Sequence, residues 1–135
     1  MKYKFHDGGR SNTPFQKKSN LGDCVIRACT LATKLPYQKV WEDLCELSKT
    51  TGMFPNHRQT YEIFLAEHGW IKQKTPRDKN KRTISIRNWE FKKSALVAVS
   101  RHLVFVDKQT VFDTWDCRTR KIQHYFISTS QLMGA

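Results

Sequence analysis

The chain has 135 residues, which fits one compact domain, and its 39% hydrophobic and 12% aromatic residues exclude a disordered protein. No apolar run approaches the ~18–20 residues that a membrane span needs, and the N-terminus lacks the apolar stretch of a signal peptide, so we expect a cytoplasmic protein without a membrane partner. The net charge of +12 predicts attraction to polyanions such as nucleic acid, anionic lipid or an acidic protein, without choosing among them.

The N-terminal segment, residues 1–20, is polar and basic and contains two adjacent glycines. We interpret it as an irregular basic arm, packed across the domain by its aromatic residues Tyr3, Phe5 and Phe15. Residues 21–135 then form a single α+β domain.

Three helices are predicted next. The first covers Asp23–Leu35, with its first residue as N-cap and a broad apolar stripe. The second begins at Pro36 and ends at Gly52, two residues that favour those positions. The third is capped by Asn56 and ends at Gly69.

Strand-like segments follow the helices, and the C-terminal third of the chain is predicted to be β. "WIKQK" is strand-like and precedes the charged loop "TPRDKNKR", while "TISIRNWEF" fits either a strand or a short helix. Strands follow in "SALVAVS", "HLVFV", "TVFDTW" and "KIQHYFIS". Helices followed by a run of strands indicate an α+β domain with an antiparallel sheet.

The four cysteines are Cys24, Cys29, Cys45 and Cys117. A reducing cytosol argues against disulfides, and the chain has no CxxC pair that would indicate zinc. We therefore predict neither a metal site nor a cofactor.

Cys24 opens the first predicted helix, in the stretch "GDCVIRACTLA". Unpaired N–H groups and the helix dipole favour the thiolate there, which is the nucleophilic form of cysteine. Cys29 and Cys45 lie on apolar helix faces and fit small core residues. A buried core thiol is also the alternative interpretation of Cys24.

A nucleophile needs a base and an orienting group, and the hairpin "SRHLVFVDKQTVFDTWD" supplies both. If its turn centres on Lys108–Gln109, His102 faces Trp115 and shares a sheet face with Asp113 at diagonal distance. Asp116 would then lie on the opposite face.

Two blocks of the sequence, "DCVIRACTLATKLPYQKVWEDL" and "RHLVFVDKQTVFDTWD", resemble papain-like cysteine hydrolases, in particular small phage and bacterial members. The resemblance covers roughly residues 20–118. It implies a papain-like fold, in which N-terminal helices, with the cysteine at the start of the first core helix, pack on a C-terminal antiparallel sheet.

The resemblance also implies a catalytic triad. Cys24 would be the nucleophile, His102 the general base and Asp113 its orienting residue. The oxyanion donor would be the backbone N–H of Cys24 together with Gln16 or Asn20, although neither side chain has the usual spacing.

Three neighbouring residues carry two interpretations each. Arg27 either stabilises a thiolate or binds substrate, or it forms a buried ion pair. Trp115 either packs on the sheet or lines the cleft, and Asp116 either approaches His102 or caps a turn. Arg101 stands where the resembling proteins have glycine, which questions the tightness of that turn.

Two functions from different classes remain open. The first is a thiol peptidase, isopeptidase or related transferase or deamidase acting on a protein or peptide through a thioester, in the host cytoplasm if a phage encodes it. The second is a catalytically silent papain-like scaffold that binds nucleic acid or an acidic host protein. The sequence favours no oligomeric state.

Overall fold

The computed structural model describes residues 1–13 and 22–132. The helices of this part of the chain are α1 (Cys24–Thr33), α2 (Tyr37–Thr51), α3 (Arg58–Glu67) and the short α4 (Thr129–Leu132). The strands are β1 (Lys2–Phe5), β2 (Trp70–Gln73), β3 (Ser94–Val99), β4 (His102–Asp107), β5 (Thr110–Asp113) and β6 (His124–Ser128). Short 3₁₀ turns occupy Arg10–Asn12 and Ile86–Asn88.

The strands form one six-stranded sheet in the order β1-β5-β4-β3-β6-β2. Every neighbouring pair is antiparallel except β1 and β5, which run parallel. The helices α1, α2 and α3 pack against this sheet, so the predicted α+β class is confirmed. None of the helices in the described part of the chain combines the length and the apolar composition that crossing a bilayer requires.

The prediction of an irregular arm over residues 1–20 is wrong for Lys2–Phe5, because these residues form strand β1 of the sheet. This strand pairs with β5 from Lys2 opposite Thr110 to Phe5 opposite Asp113. Without it the hydrogen-bonding edge of β5 would be open, and such edges are usually covered. The predicted contact of Phe15 lies outside the described residues.

The helix ends lie close to the predicted positions but differ at several caps. Pro36 is the N-cap of α2, and Gly52 ends that helix in the left-handed conformation at φ 74°. The N-cap of α3 is His57 rather than Asn56, because its ring nitrogen accepts a hydrogen bond from the backbone N–H two residues on. Asp23 occupies the N-cap position of α1, but its side chain makes no capping bond.

The sheet separates two apolar clusters. Alternate residues of β3 point to opposite faces, so Leu96 packs with the helices and Val97 with the second cluster. The helix-side cluster also contains Cys29, Val40, Leu44, Phe64, Leu103 and Phe126. Cys29 is fully buried, as expected for a small core residue.

Helix α1 packs directly against β4. Val25, in the first turn of α1, and Leu103, near the start of β4, belong to the same apolar cluster. The N-terminus of the helix is therefore held beside the beginning of the strand. This packing positions the candidate site.

Candidate active site

Cys24 lies in the first turn of α1, half-buried, where its thiol forms a hydrogen bond with the side chain of His102. The backbone N–H of Leu103, the next residue of β4, also donates to this sulfur. Cys24 and His102 line an open cleft of about 510 Å³ between the helices and the sheet. The thiol is therefore reachable from solvent and held beside an imidazole.

The environment of Cys24 favours its thiolate. Burial alone would raise the pKa of the thiol, but the hydrogen bonds from His102 and the Leu103 N–H outweigh it. The positive charges of His102 and Arg27 act in the same direction, so the pKa lies below its ordinary value. This is the electrostatic setting in which cysteines are nucleophilic.

His102 connects the thiol to a carboxylate. Burial would lower its pKa, but hydrogen bonds with Asp113, Cys117 and Cys24 raise the pKa to about 11. The ring is therefore an imidazolium at neutral pH, hydrogen-bonded to the side chain of Cys24. Its Nε2 lies 2.5 Å from Oδ2 of Asp113.

The hairpin that places this pair has the predicted register. The pairing of Phe105 with Phe112 and of Asp107 with Thr110 centres the turn on Lys108–Gln109, which confirms the prediction. Asp113 ends β5 and reaches His102 diagonally across the hairpin.

Asp113 is held by four groups. Its Oδ1 accepts hydrogen bonds from the Thr114 N–H at 2.7 Å and from Nη2 of Arg27 at 3.1 Å, while Oδ2 binds His102 and Cys117. Burial would raise its pKa, but these bonds and the nearby charges keep it lowered. The carboxylate is ionised and cannot rotate away from the imidazole.

Arg27 forms the buried ion pair that was one of its two predicted roles. Its guanidinium joins Asp113 to Asp23, which is 1% exposed. Asp23 also accepts a hydrogen bond from the Tyr37 hydroxyl at 2.7 Å and one from Arg10 at 3.1 Å. A chain of hydrogen-bonded and charged groups thus runs from the Tyr37 hydroxyl, at the start of α2, to His102.

The N-terminal segment closes over this network. Gly8 has φ 68° and packs so tightly on α1 that an added Cβ would lie 2.9 Å from the Cα of Arg27. Its lack of a side chain lets Arg10, two residues on, reach Asp23. Sequence reasoning assigned no role to Arg10.

Trp115 and Asp116 follow the end of β5. The Trp115 ring is 39% exposed and lies 4.8 Å from the His102 ring, with Arg120 5.5 Å from its centre. Asp116 is exposed and binds Arg118, accepting from both the backbone N–H and the guanidinium. Its observed contacts are those of the turn-capping alternative.

The predicted oxyanion donors Gln16 and Asn20 lie outside the described residues. The backbone N–H of Cys24 belongs to the first residue of α1, where N–H groups lack partners within the helix. It is therefore available at the nucleophile.

Cys117 was missed as a site residue. It is fully buried, and its Sγ donates to Oδ2 of Asp113 at 3.6 Å. Burial raises the pKa of the Cys117 thiol, so this thiol stays protonated, whereas the pKa of the Cys24 thiol is lowered. The loop after β5 brings it there, and no spacing rule in the sequence would have indicated that.

The donor atoms of His102, Asp113 and Cys117 lie within 4.8 Å of one another, a geometry that can hold a metal ion. The guanidinium of Arg27 lies 3.1 Å from Oδ1 of Asp113 and repels a cation. All three groups are also engaged in hydrogen bonds with one another. These contacts favour a hydrogen-bonded network over a metal centre.

Beyond the reactive groups, polar and cationic side chains share the cleft walls with apolar ones. Arg58 comes from α3, Arg101 from the β3–β4 turn, and His124 from β6. Arg101 adopts φ 55°, the left-handed conformation that glycine would favour, so the turn stays tight with arginine present. Phe54, 79% exposed, lies at the same cleft.

A scan against protein-family models, a search of curated proteins and a search of solved structures each find no significant match to this chain. The geometry of the site is therefore the basis for inferring a function.

Proposed function

We propose that the protein is a papain-like cysteine hydrolase that acts on a protein or peptide through a thioester. The observation that carries the proposal is the alignment of Cys24, His102 and Asp113, with the thiol pKa lowered and the imidazole pKa raised. A thiolate, an imidazolium and an ionised carboxylate in this order are the groups that acyl transfer requires.

In the first half of the reaction, the Cys24 thiolate attacks the carbonyl carbon of an amide. The negative charge that develops on the carbonyl oxygen is stabilised by the Cys24 N–H. His102 gives its proton to the nitrogen as the carbon–nitrogen bond breaks. The products are a free amine and a thioester on Cys24.

In the second half, neutral His102 takes a proton from water as the water oxygen attacks the thioester. The carbon–sulfur bond breaks, the acid leaves, and the thiolate–imidazolium pair is restored. An amine in place of water gives acyl transfer. A glutamine side chain as the first substrate gives deamidation, with ammonia as the leaving group.

Asp113 and Arg27 support these steps without touching the reacting atoms. Asp113 fixes the ring orientation and stabilises the imidazolium. Arg27 is a positioning residue, because its guanidinium holds Asp113 from the side opposite His102 while contributing positive charge near Cys24.

The alternative is a silent scaffold that binds a polyanion. The net charge of +12 favours it, since this charge predicts salt-sensitive binding to nucleic acid or an acidic protein. The alternative does not call for a lowered thiol pKa next to an imidazolium. We therefore prefer the hydrolase.

The test is acylation with a p-nitrophenyl ester, followed by rapid quenching and mass spectrometry. The hydrolase predicts a burst of nitrophenol and one acyl group on Cys24, with slow release to water. The Cys24→Ala and His102→Gln variants should lose the burst. The Cys45→Ala variant, which removes a thiol on α2, should keep it. Acylation spread over several residues, or a burst that survives His102→Gln, would overturn the proposal.

A further inference from the structure

We propose, as a deepening of the hydrolase proposal above and resting on it, that the cleft selects peptide segments with acidic side chains. Arg58 and Arg101 would be its specificity-determining residues. They reach the cleft from different elements, α3 and the β3–β4 turn, and the nucleophile lies in the same cleft.

Apart from the Cys24 thiolate, which His102 neutralises, the charged side chains that line the cleft are positive. Among the described residues that line it there are two arginines and three histidines but no carboxylate. An acidic group entering beside Cys24 would therefore meet cations and hydrogen-bond donors, and a basic group would meet repulsion.

Both arginines keep charge to offer. Arg101 is exposed and has no ion-pair partner within residues 1–13 and 22–132. Arg58 is 3.9 Å from Glu62, but Lys72 lies closer to the same Oε1 atom, at 3.1 Å. One carboxylate is thus shared between two cations, and Arg58 is only weakly neutralised.

The backbone at Arg101 adds a second observation. Its φ of 55° is unfavourable for a residue with a Cβ and easy for glycine. The turn itself therefore gains nothing from arginine. A charged side chain at this position, at the rim of the cleft, fits a role in binding.

An acidic peptide fits these features better than a nucleic acid. Guanidinium groups bind carboxylates through two parallel hydrogen bonds, and two arginines match one or two acidic side chains. The exposed ring of Phe54 offers the same ligand an apolar contact. A polynucleotide would instead draw on lysines and arginines over the whole surface, with little dependence on these two.

The experiment measures binding to the Cys24→Ala protein, which keeps the cleft and cannot react. Two peptides are compared, one built from Ala, Gly and Glu and the other from Ala, Gly and Gln. Both carry the same neutral dye, and their binding is followed by fluorescence anisotropy at about 150 mM salt. We expect the Glu peptide to bind at least about tenfold more tightly. In the Cys24→Ala protein, Arg58→Gln and Arg101→Gln should each weaken binding of the Glu peptide about threefold to tenfold, with little change in binding of the Gln peptide.

Two further variants control the result. Arg87→Gln removes an equal charge from an exposed arginine outside the cleft and should not change binding. Arg101→Gly should weaken binding of the Glu peptide as Arg101→Gln does, while unfolding at the same or higher denaturant concentration, because glycine suits the backbone. That outcome separates lost recognition from a damaged turn.

Equal binding of the two peptides, no binding, or a preference for Glu that survives both arginine changes would overturn the inference. So would tighter binding of a single-stranded oligonucleotide that depends on Arg58 and Arg101. The acylation burst at Cys24 is measured separately in the unsubstituted protein. Failure of acidic selection therefore leaves the hydrolase standing, and failure of the burst identifies the hydrolase as the error.

Discussion

Nε2 of His102 and Oδ2 of Asp113 lie 2.5 Å apart across the β4–β5 hairpin, and Arg27 holds the other oxygen of the same carboxylate. The Asp113 side chain thus connects the His102 imidazole, which faces Cys24, to a buried ion-pair network. Both the reactivity of the thiol and the stability of the domain should depend on it.

Replacing Asp113 by Asn should lower the pKa of His102 by more than about one unit, because the imidazolium loses its nearest negative charge. Alkylation of Cys24 near neutral pH should slow with it. An NMR titration of the His102 ring and iodoacetamide rates measure the two effects. The matched variant Asp116→Asn breaks only the exposed contact with Arg118 and should change neither. A larger effect from Asp116→Asn would show that Asp116, and not Asp113, orients the imidazole.

The Cys24 thiol should react with iodoacetamide at pH values where an ordinary thiol, with a pKa of ~8.5, is mostly protonated. Its lowered pKa leaves a larger fraction of this thiol ionised there. Cys29 serves as an internal control, because full burial raises its pKa and blocks access. Peptide mass spectrometry against pH reads both sites in one sample. An apparent pKa of 8.5 or above at Cys24 would contradict this electrostatic account.

The stability of the domain should change with pH in a way that Cys24 controls. The raised pKa of His102 contributes stability that is complete below 6.5 and lost as pH rises toward about 11. The lowered pKa of Cys24 contributes stability that is complete above 9.0 and lost as pH falls through its folded value. Between the folded pKa of Cys24 and pH 9.0 the two contributions change with pH in opposite directions, since folding there moves a proton from sulfur to nitrogen.

Cys24→Ala removes the contribution of the thiol to the pH dependence of the free energy of unfolding. Between pH 6.5 and 9.0 the free energy of unfolding should then fall more steeply with rising pH than it does in the unsubstituted protein. Urea titrations at half-unit pH steps measure the difference between the two proteins. Superimposable pH profiles would show that the thiolate–imidazolium pair is not formed in the folded state.

Arg27→Gln should destabilise the domain by about 3–5 kcal/mol, the cost of removing one partner from a buried ion pair. Two buried carboxylates, Asp23 and Asp113, lose a partner at once. Arg118→Gln removes an arginine from an exposed pair and should have little effect. Denaturant unfolding compares the two variants. Similar stabilities would indicate that the network does not hold the fold.

Trp115→Ala should slow alkylation of Cys24 less than about tenfold, because a cation–π contact at a partly exposed site is worth about 0.5–1 kcal/mol. Trp115→Phe keeps an aromatic face against His102 and should recover most of the rate. If the Phe and Ala variants react equally slowly, the indole acts through something other than its ring face.

The local patterns of the sequence determined much of this protein. Apolar spacing and terminal residues such as Pro36 and Gly52 predicted the helices, because neighbours in the chain make those hydrogen bonds. The Lys108–Gln109 turn sets the register of its hairpin, so the pairing of His102 with Asp113 could be predicted too. Two strands joined by a short turn have only one favourable alignment.

Only the tertiary structure decided how distant segments meet. The packing of α1 on β4 brings Cys24 to His102, and the parallel pairing of β1 covers the edge of β5. The link from Arg27 to Asp113 and the position of Cys117 depend on the same packing. Such contacts arise from burying apolar surface between elements far apart in the chain, and this leaves no periodic pattern in the sequence around each residue.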